Sequence, residues 1–226
     1  MFADLWPTFG LTLSTARLVL RLPTDSELEA LARVAADGVH GEDERPFLTP
    51  WAEGSPEERA RSVLGSHWSA LASWTPDSWR LGLGVFLHTG EAIGVASLRA
   101  ADFRVNREVT TSSWLGLGWQ GQGYGTEART ALLTLAFDHL GATDATTEVF
   151  QDNHKSQGVS RKLGYLPDGI SRDRRGEDVV VSDRLRLTSE LWGANADKGE
   201  VEVSGVDEAL PMFLGDPRSG DPAVPT

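Results

Sequence analysis

The chain contains no cysteine. That excludes disulfide staples, a thiolate nucleophile and thiolate metal sites, and it fits a reducing compartment. No apolar run reaches the roughly 20 residues that a membrane-spanning helix needs. The N-terminus also lacks the charged-then-apolar pattern of a secretion signal. The expectation is a soluble cytoplasmic protein with no membrane partner. Positive charge is scarce, with 21 Lys and Arg against 33 Asp and Glu and a net charge of −12. That balance argues against a nucleic-acid partner and would favour a cationic substrate such as an amine, although an acidic surface also simply confers solubility. An anionic cofactor would need local positive charge, for which Arg129, Lys155 and Arg161 stand near the right segments. At 226 residues the chain suits one domain with a sizeable core and a tail.

What is present is a glycine-dense stretch, Trp114-Leu115-Gly116-Leu117-Gly118-Trp119-Gln120-Gly121-Gln122-Gly123-Tyr124-Gly125-Thr126-Glu127. An apolar strand enters it. A helix is expected to leave it near Thr126, with Ala128, Ala131, Leu132, Leu135 and Ala136 on one face. Glycines let the backbone approach a bulky anion and turn N–H groups toward it. The helix adds its unpaired N–H groups and the positive end of its dipole. Gly116-x-Gly118-x-x-Gly121 matches the dinucleotide pattern literally. That pattern wants its last glycine inside the helix and an acidic residue ending the next strand about 20 residues on. Here that position falls in the expected helix, near Asp138. A nucleoside-triphosphate loop is excluded, because Gly123-Tyr124-Gly125-Thr126 offers no lysine. A third pattern, Gln120-x-x-Gly123-x-Gly125, is also present, and a ligand-free strand-to-helix turn remains open.

Taken in order, residues 1–14 are apolar and irregular and form an N-terminal extension that packs on the domain or on a partner chain. Ala16 to Leu22 alternates as a strand that Pro23 ends, and Thr24 or Asp25 caps a helix carrying Leu28, Leu31, Ala32 and Ala35. Asp37 to Gly54 reads as a long loop with His40, Glu42, Asp43, Glu44, Arg45, Phe47 and Trp51, of a kind that often serves function. Here it is expected to wall an acceptor pocket. Ser55-Pro56-Glu57-Glu58 starts a second helix. Strands follow at Arg80–His88, Ala92–Asp102 and Glu108–Leu117, the first two joined by Thr89-Gly90-Glu91. After the glycine stretch come a helix to about Leu140, a strand over Thr143–Phe150 and a helix over Asn153–Leu163. Two strands, Tyr165–Arg174 and Asp178–Leu187, turn at Arg174-Arg175-Gly176-Glu177. This is a mixed α/β domain over 15–193. Residues 194–226 form a C-terminal extension, with a short strand at Gly199–Val203, a hydrophobic patch at Val206–Leu214 and expected disorder from about 215.

A second motif lies at Asp152-Asn153-His154-Lys155-Ser156-Gln157-Gly158-Val159-Ser160-Arg161-Lys162-Leu163-Gly164-Tyr165. Asn153 is a plausible N-cap, and residues 153, 156 and 160 share one helix face. Together, Gln120-x-x-Gly123-x-Gly125 and this segment resemble the GNAT (GCN5-related) N-acyltransferases. The first resembles their pyrophosphate loop. The second resembles the helix after their parted central strands, with Asn153, Ser156, Gly164 and Tyr165 at the characteristic positions. Gly123-Tyr124-Gly125-Thr126-Glu127-Ala128 and the strand-Pro-helix opening are similar to the ribosomal-protein-alanine N-acetyltransferase (RimJ/RimL-like) branch. The resemblance spans roughly 16–191.

The resemblance implies the GNAT fold, a mixed and mostly antiparallel sheet with splayed central strands flanked by helices. It implies transfer of an acetyl group, with succinyl also considered, from acetyl-CoA or another acyl-CoA to a primary amine by direct attack in a ternary complex. Aligning the reactants would supply on the order of 7–11 kcal/mol of the barrier. The pyrophosphate would meet the turn at Gln120, Gln122, Gly123, Tyr124, Gly125 and Thr126. The pantetheine arm would pair with the backbone of Leu115 and Leu117, with the oxyanion near Leu115. Asn153 and Ser156 would face the arm. Many members carry a tyrosine where this chain has Ser160, and its two tyrosines stand elsewhere. The resemblance to the ribosomal-protein branch, which uses the serine three after the Asn, implies Ser156 as the proton donor, with Ser160 second. An alkylamine has a pKa near ~10 and needs a base; Glu148 is the first candidate, then Asp102 and Glu108. His40, His88 and His139 are too scattered for a metal site. Acceptors that fit are a small-molecule amine, a peptide N-terminus or a lysine. Homo-oligomers, often dimers, occur in that branch. A non-catalytic acyl-CoA-binding sensor and a nucleotide-dependent oxidoreductase are the rival readings.

Overall fold

The two helices that cover one face of the sheet announce their starts locally. In a computed structural model describing residues 2–175, 177–196 and 198–215, α2 (Asp25–Asp37) begins at a complete capping box. Thr24 Oγ1 accepts from the Glu27 N–H, and the Glu27 carboxylate accepts from the Thr24 N–H. α3 (Pro56–Ala72) repeats the device with Ser55 and Glu58. Both satisfy first-turn N–H groups that otherwise lack partners. Leu28, Leu31, Ala32 and Ala35 of α2 and Val63 of α3 pack with Phe86 and Ala92 of the sheet.

The sheet has nine strands in the order β7-β8-β6-β5-β4-β3-β2-β1-β9. In chain order they are β1 (Thr12–Ser14), β2 (Leu18–Arg21), β3 (Ser78–Leu87), β4 (Ala92–Ala101), β5 (Glu108–Leu115), β6 (Asp144–Phe150), β7 (Leu166–Arg175), β8 (Asp178–Thr188) and β9 (Glu202–Ser204). Every neighbouring pair is antiparallel except β5 and β6. A parallel pair needs a crossover, supplied by α5 (Tyr124–Thr134) and a π-helical turn, Leu135–His139. This is the α+β arrangement with a mixed, mostly antiparallel sheet that the sequence implied. α5 starts two residues before Thr126 because Gly123, at φ 87°, is its N-cap. α6 (His154–Lys162) lies on the α5 side.

Three further short helices are α1 (Phe2–Leu5), α4 (Phe103–Asn106) and α7 (Ser189–Ala194). The segments set apart as extensions on sequence are part of the sheet and core. β1 sits between β2 and β9, with its own Leu13 and the preceding Leu11 fully buried. The apolar patch after β9 forms α8 (Val206–Leu214), whose Phe213 packs edge-on against Trp74 and Trp79. Trp74 Nε1 donates to the Met212 carbonyl at 2.7 Å. Gly176 of the expected hairpin turn and the tail from 216, expected to be disordered, lie outside the described residues.

The feature that positions the site is a split between β5 and β6. They pair only at Glu108–Asp144, Val109–Ala145 and Thr110–Thr146. Beyond Thr110, β5 runs to Leu115 with no backbone pairing to β6 among the described residues. The closed end is stapled by Arg186 of β8. Its Nη1 reaches Glu108 at 2.7 Å and Asp144 at 3.0 Å, and its Nε reaches Asp168 at 3.1 Å.

Candidate active site

At the open end of β5 the chain enters the glycine turn. Gly121 and Gly123 hold φ of 74° and 87°, a region costly for residues with a Cβ. A Cβ on Gly123 would also come within 3.3 Å of Arg17 Nη2. Among the described residues, the N–H groups of Gln122, Gly123, Tyr124 and Gly125 have no acceptor. The Thr126 N–H is already given to the Gly123 carbonyl at 3.1 Å. The cradle is therefore one residue shorter than the sequence implied. A helix start with unpaired N–H groups suits an anion.

The flanking side chains are mostly committed to building this turn. Gln120 Nε2 donates to the carbonyls of Val39, at 2.7 Å, and Leu115, at 2.9 Å. Gln122 Nε2 donates to the Gly118 carbonyl at 2.8 Å. Leu117 is spent as well: its N–H goes to the Gly38 carbonyl and its carbonyl accepts from the Gln120 N–H. A strand-like partner for the arm can therefore pair with the β6-facing edge of β5 but not with Leu117. The dinucleotide pattern does not hold here. Gly121 lies outside the helix, the sheet is not a parallel doubly wound one, and Asp138 sits in the π-helical turn.

Arg17, which the sequence reading did not single out, is the cation at the cradle. Its guanidinium meets Glu127 of α5 at 2.5 Å and stacks over Tyr124 at 4.5 Å. Its Nη1 donates to the Gln122 carbonyl at 3.0 Å. Glu127 also accepts from Thr15 Oγ1 at 2.7 Å and from the Arg17 N–H at 2.9 Å. The β1–β2 turn is thus tied to the glycine turn across 110 residues of sequence. Of the three cations expected here, Arg129 is buried and Lys155 is paired with Glu44 at 2.7 Å. Arg161 is exposed on α6, its Nε 3.4 Å from the Gln157 carbonyl.

α6 begins as expected. Asn153 is its N-cap, with Oδ1 accepting from the Ser156 N–H at 3.1 Å. The half-buried Ser156 hydroxyl has no hydrogen-bond partner among the described residues, so its proton is available. Ser160 differs. It is fully buried, and its Oγ accepts from Arg129 Nη1 at 3.2 Å. Arg129 is itself 5% exposed. Tyr165, equally enclosed, shares a 3.1 Å hydrogen bond with Thr111 of β5, and Thr147 of β6 donates to the Thr111 carbonyl at 3.3 Å. Burial raises the Tyr165 hydroxyl's pKa, and neighbouring Arg129 only partly offsets that.

Of the base candidates, Glu108 is locked in the Arg186 staple at the closed end, and Asp102 is exposed beyond β4. Glu148 is exposed on β6, opposite Arg184 of β8. Strand alternation puts it on the sheet face it shares with Phe150 and, across the split, with Trp114. Over that face runs the long loop, closed at its ends by Arg59, which donates to the carbonyls of Ala35, Ala36 and Gly54. Trp51 packs between Phe47, at 5.0 Å, and Trp114, at 5.6 Å. Lys155–Glu44 and a 2.7 Å bond from Arg175 to the Arg45 carbonyl strap the loop to α6 and β7. The Lys155 hydrogen bond, helped by the Gly41 N–H, holds the Glu44 carboxyl below the usual range.

The parallel pair β5–β6 thus parts beside a glycine turn whose N–H groups at the start of α5 lack acceptors among the described residues. The sequence profile of the acetyltransferase (GNAT) domain matches residues 17–166, and the chain belongs to that family. A relative provisionally named as a ribosomal N-acetyltransferase, YdaF of Bacillus subtilis (strain 168), is 32% identical over 87 residues, 38% of this chain and 47% of that one. The chain thus matches less than half the length of that curated relative. Two solved structures share the fold. One is a provisionally assigned ribosomal-protein-serine acetyltransferase from Vibrio cholerae, with a TM-score of 0.60 and 22% identity over 78% of this chain and 97% of that one. The other is RimL, a ribosomal L7/L12 alpha-N-protein acetyltransferase in complex with coenzyme A, with a TM-score of 0.60 and 20% identity over 77% and 95%.

Proposed function

We propose that the protein is an acetyl-CoA-dependent N-acetyltransferase that acylates a primary amine, with succinyl-CoA as a further donor to test. The observation that carries this reading is the continuity of two features. Four main-chain N–H groups at the start of α5, without acceptors among the described residues, follow in the chain on the part of β5 that has no backbone pairing to β6. The N–H groups of the turn suit a diphosphate, and β5 beyond Thr110, where it has no backbone ladder to β6 among the described residues, suits an extended arm. When bound, the acyl-CoA supplies an activated thioester.

The residues then divide the work. Gln122 to Gly125 hold the anion through N–H groups, and Arg17 adds charge beside them. The free edge of β5 ending at Leu115 orients the arm and offers a main-chain N–H to the developing oxyanion. Ser156, at the first turn of α6 with a free hydroxyl, returns a proton to the departing sulfur. Glu148 takes the amine proton through water from the face it shares with Trp114. The loop carrying Glu42, Asp43, Glu44, Phe47 and Trp51 walls the acceptor side, where acidic residues suit a cationic amine. A peptide N-terminus is the acceptor to try first, because RimL and YdaF are named for ribosomal substrates. The working unit is a soluble domain without a metal, and a homodimer is compatible with it. Intact-mass measurement of acyl-CoA donors against an amine and peptide panel tests the reading. A 42-dalton gain on an acceptor is expected for acetyl transfer, which replaces one hydrogen with an acetyl group (about 42 Da, from the chemistry of the transfer). Acyl-CoA binding without product on any acceptor would contradict the reading.

A further inference from the structure

Arg129 is a charge that no described residue neutralises. It is 5% exposed. Among the described residues no carboxylate pairs with it, and its Nε is buried without a hydrogen-bond partner. One side-chain bond is formed, from Nη1 to Ser160 Oγ at 3.2 Å. Tyr165 is the titratable group facing it, and that hydroxyl is engaged with Thr111. Burial works against the arginine's positive form, yet a guanidinium keeps its proton in proteins. An uncompensated buried cation is costly to hold, so its position calls for an anion that arrives later.

The position is informative. Thr111 and Thr147, which touch this cluster, are the first residues after the last β5–β6 pair. The cluster therefore forms the root of the split, on the α6 side. Ser160 lies one turn beyond Ser156 on the same helix face. Because Ser160 Oγ accepts from Arg129, its own O–H is left to donate elsewhere.

Acyl transfer to an amine forms a C–N bond and breaks a C–S bond. The electron pair of the broken bond stays on sulfur, and the proton lost by the amine is returned to that sulfur. We propose that Arg129, acting through Ser160, is a positioning residue that supplies the positive charge favouring the thiolate at the end of the carrier arm. The inference rests on the acyl-CoA reading above.

The test is the acidity of bound coenzyme A itself. Thiolate absorbance is followed as pH is raised, with free coenzyme A as reference. The bound thiol is expected to titrate about one pH unit or more below the free one, since a nearby cation favours the charged form. Arg129→Met should return it to the free value, Arg129→Lys should restore part of the shift, and Ser160→Ala should reduce it. In turnover, Arg129→Met should lower kcat about tenfold, with KM for acetyl-CoA unchanged. A bound thiol that titrates like free coenzyme A, or identically in Arg129→Met, overturns the proposal while leaving acyl-CoA binding intact. A loss confined to donors with an acyl carboxylate would assign the charge to that carboxylate and overturn it too. Failure of coenzyme A to bind at all would instead remove the acyl-CoA reading.

Discussion

The two ends of the β5–β6 split are built on opposite principles. The mouth is main chain: glycines, unpaired N–H groups and the first turn of α5, with one exposed arginine beside them. The root is side chain: Arg129, Ser160, Tyr165, Thr111 and Thr147, drawn from four elements and the segment after α6, and enclosed. A main-chain site tolerates most sequence changes that keep its glycines, whereas a buried polar cluster depends on every member being satisfied. Binding is therefore assigned to the mouth and rate to the root and the neighbouring face of α6. Each substitution below tests that division.

The largest effect is expected at α6. Ser156→Ala should lower kcat on the order of a hundredfold while calorimetric affinity for acetyl-CoA holds; a parallel loss of affinity would place Ser156 in binding. Next is the mouth. Gly123→Val forces a β-branched residue to φ 87° against Arg17, a strain of roughly 1–2 kcal/mol. Acetyl-CoA should then bind about tenfold more weakly, with kcat at saturation retained. Smaller again is the cost of the charge at the root. Arg129→Met should raise unfolding free energy without ligand by about 1 kcal/mol, because replacing buried ions with apolar side chains is often stabilising. Urea denaturation measures it, and a destabilised variant would mean that the charge is compensated.

The smallest effect concerns the loop. The Glu44 carboxyl titrates below its ordinary 4.5, chiefly through the Lys155 hydrogen bond. A depressed carboxylate contributes stability above its unfolded value and loses it as pH falls through the folded value. Both partners of the strap are substantially exposed, so it is worth less than about 1 kcal/mol. Hydrogen-exchange protection over 41–51, taken relative to the intrinsic rate at each pH, should therefore fall below pH 4.5 and, at neutral pH, in Glu44→Gln.

What was legible in the sequence follows the same division. The capping boxes at Thr24 and Ser55, the Asn153 cap and the glycine turn are each set by a few adjacent residues, and local chemistry decides them. The split itself was expected only through resemblance to a family. The Arg17–Glu127 clamp and the Arg186 staple join residues far apart in the chain, and no local pattern distinguishes those arginines from others on the surface. Arg129 was noted as a nearby cation, but its burial depends on how α5 and α6 pack. Residues 1–14 looked irregular because β1 is only three residues long and is held as a strand by its neighbours on both sides. The patch at Val206–Leu214 contains Pro211, which hid its helical period, yet α8 forms because Ala209 and Phe213 bury against the core.

The account turns on one claim, that the start of α5 holds the diphosphate of an acyl carrier. Calorimetric titration of the intact protein with acetyl-CoA, and in parallel with NAD, tests it most directly. The account predicts saturable one-to-one binding of acetyl-CoA that is weakened in Gly123→Val, and no heat from NAD. Binding of NAD with none of acetyl-CoA at millimolar concentration would contradict it.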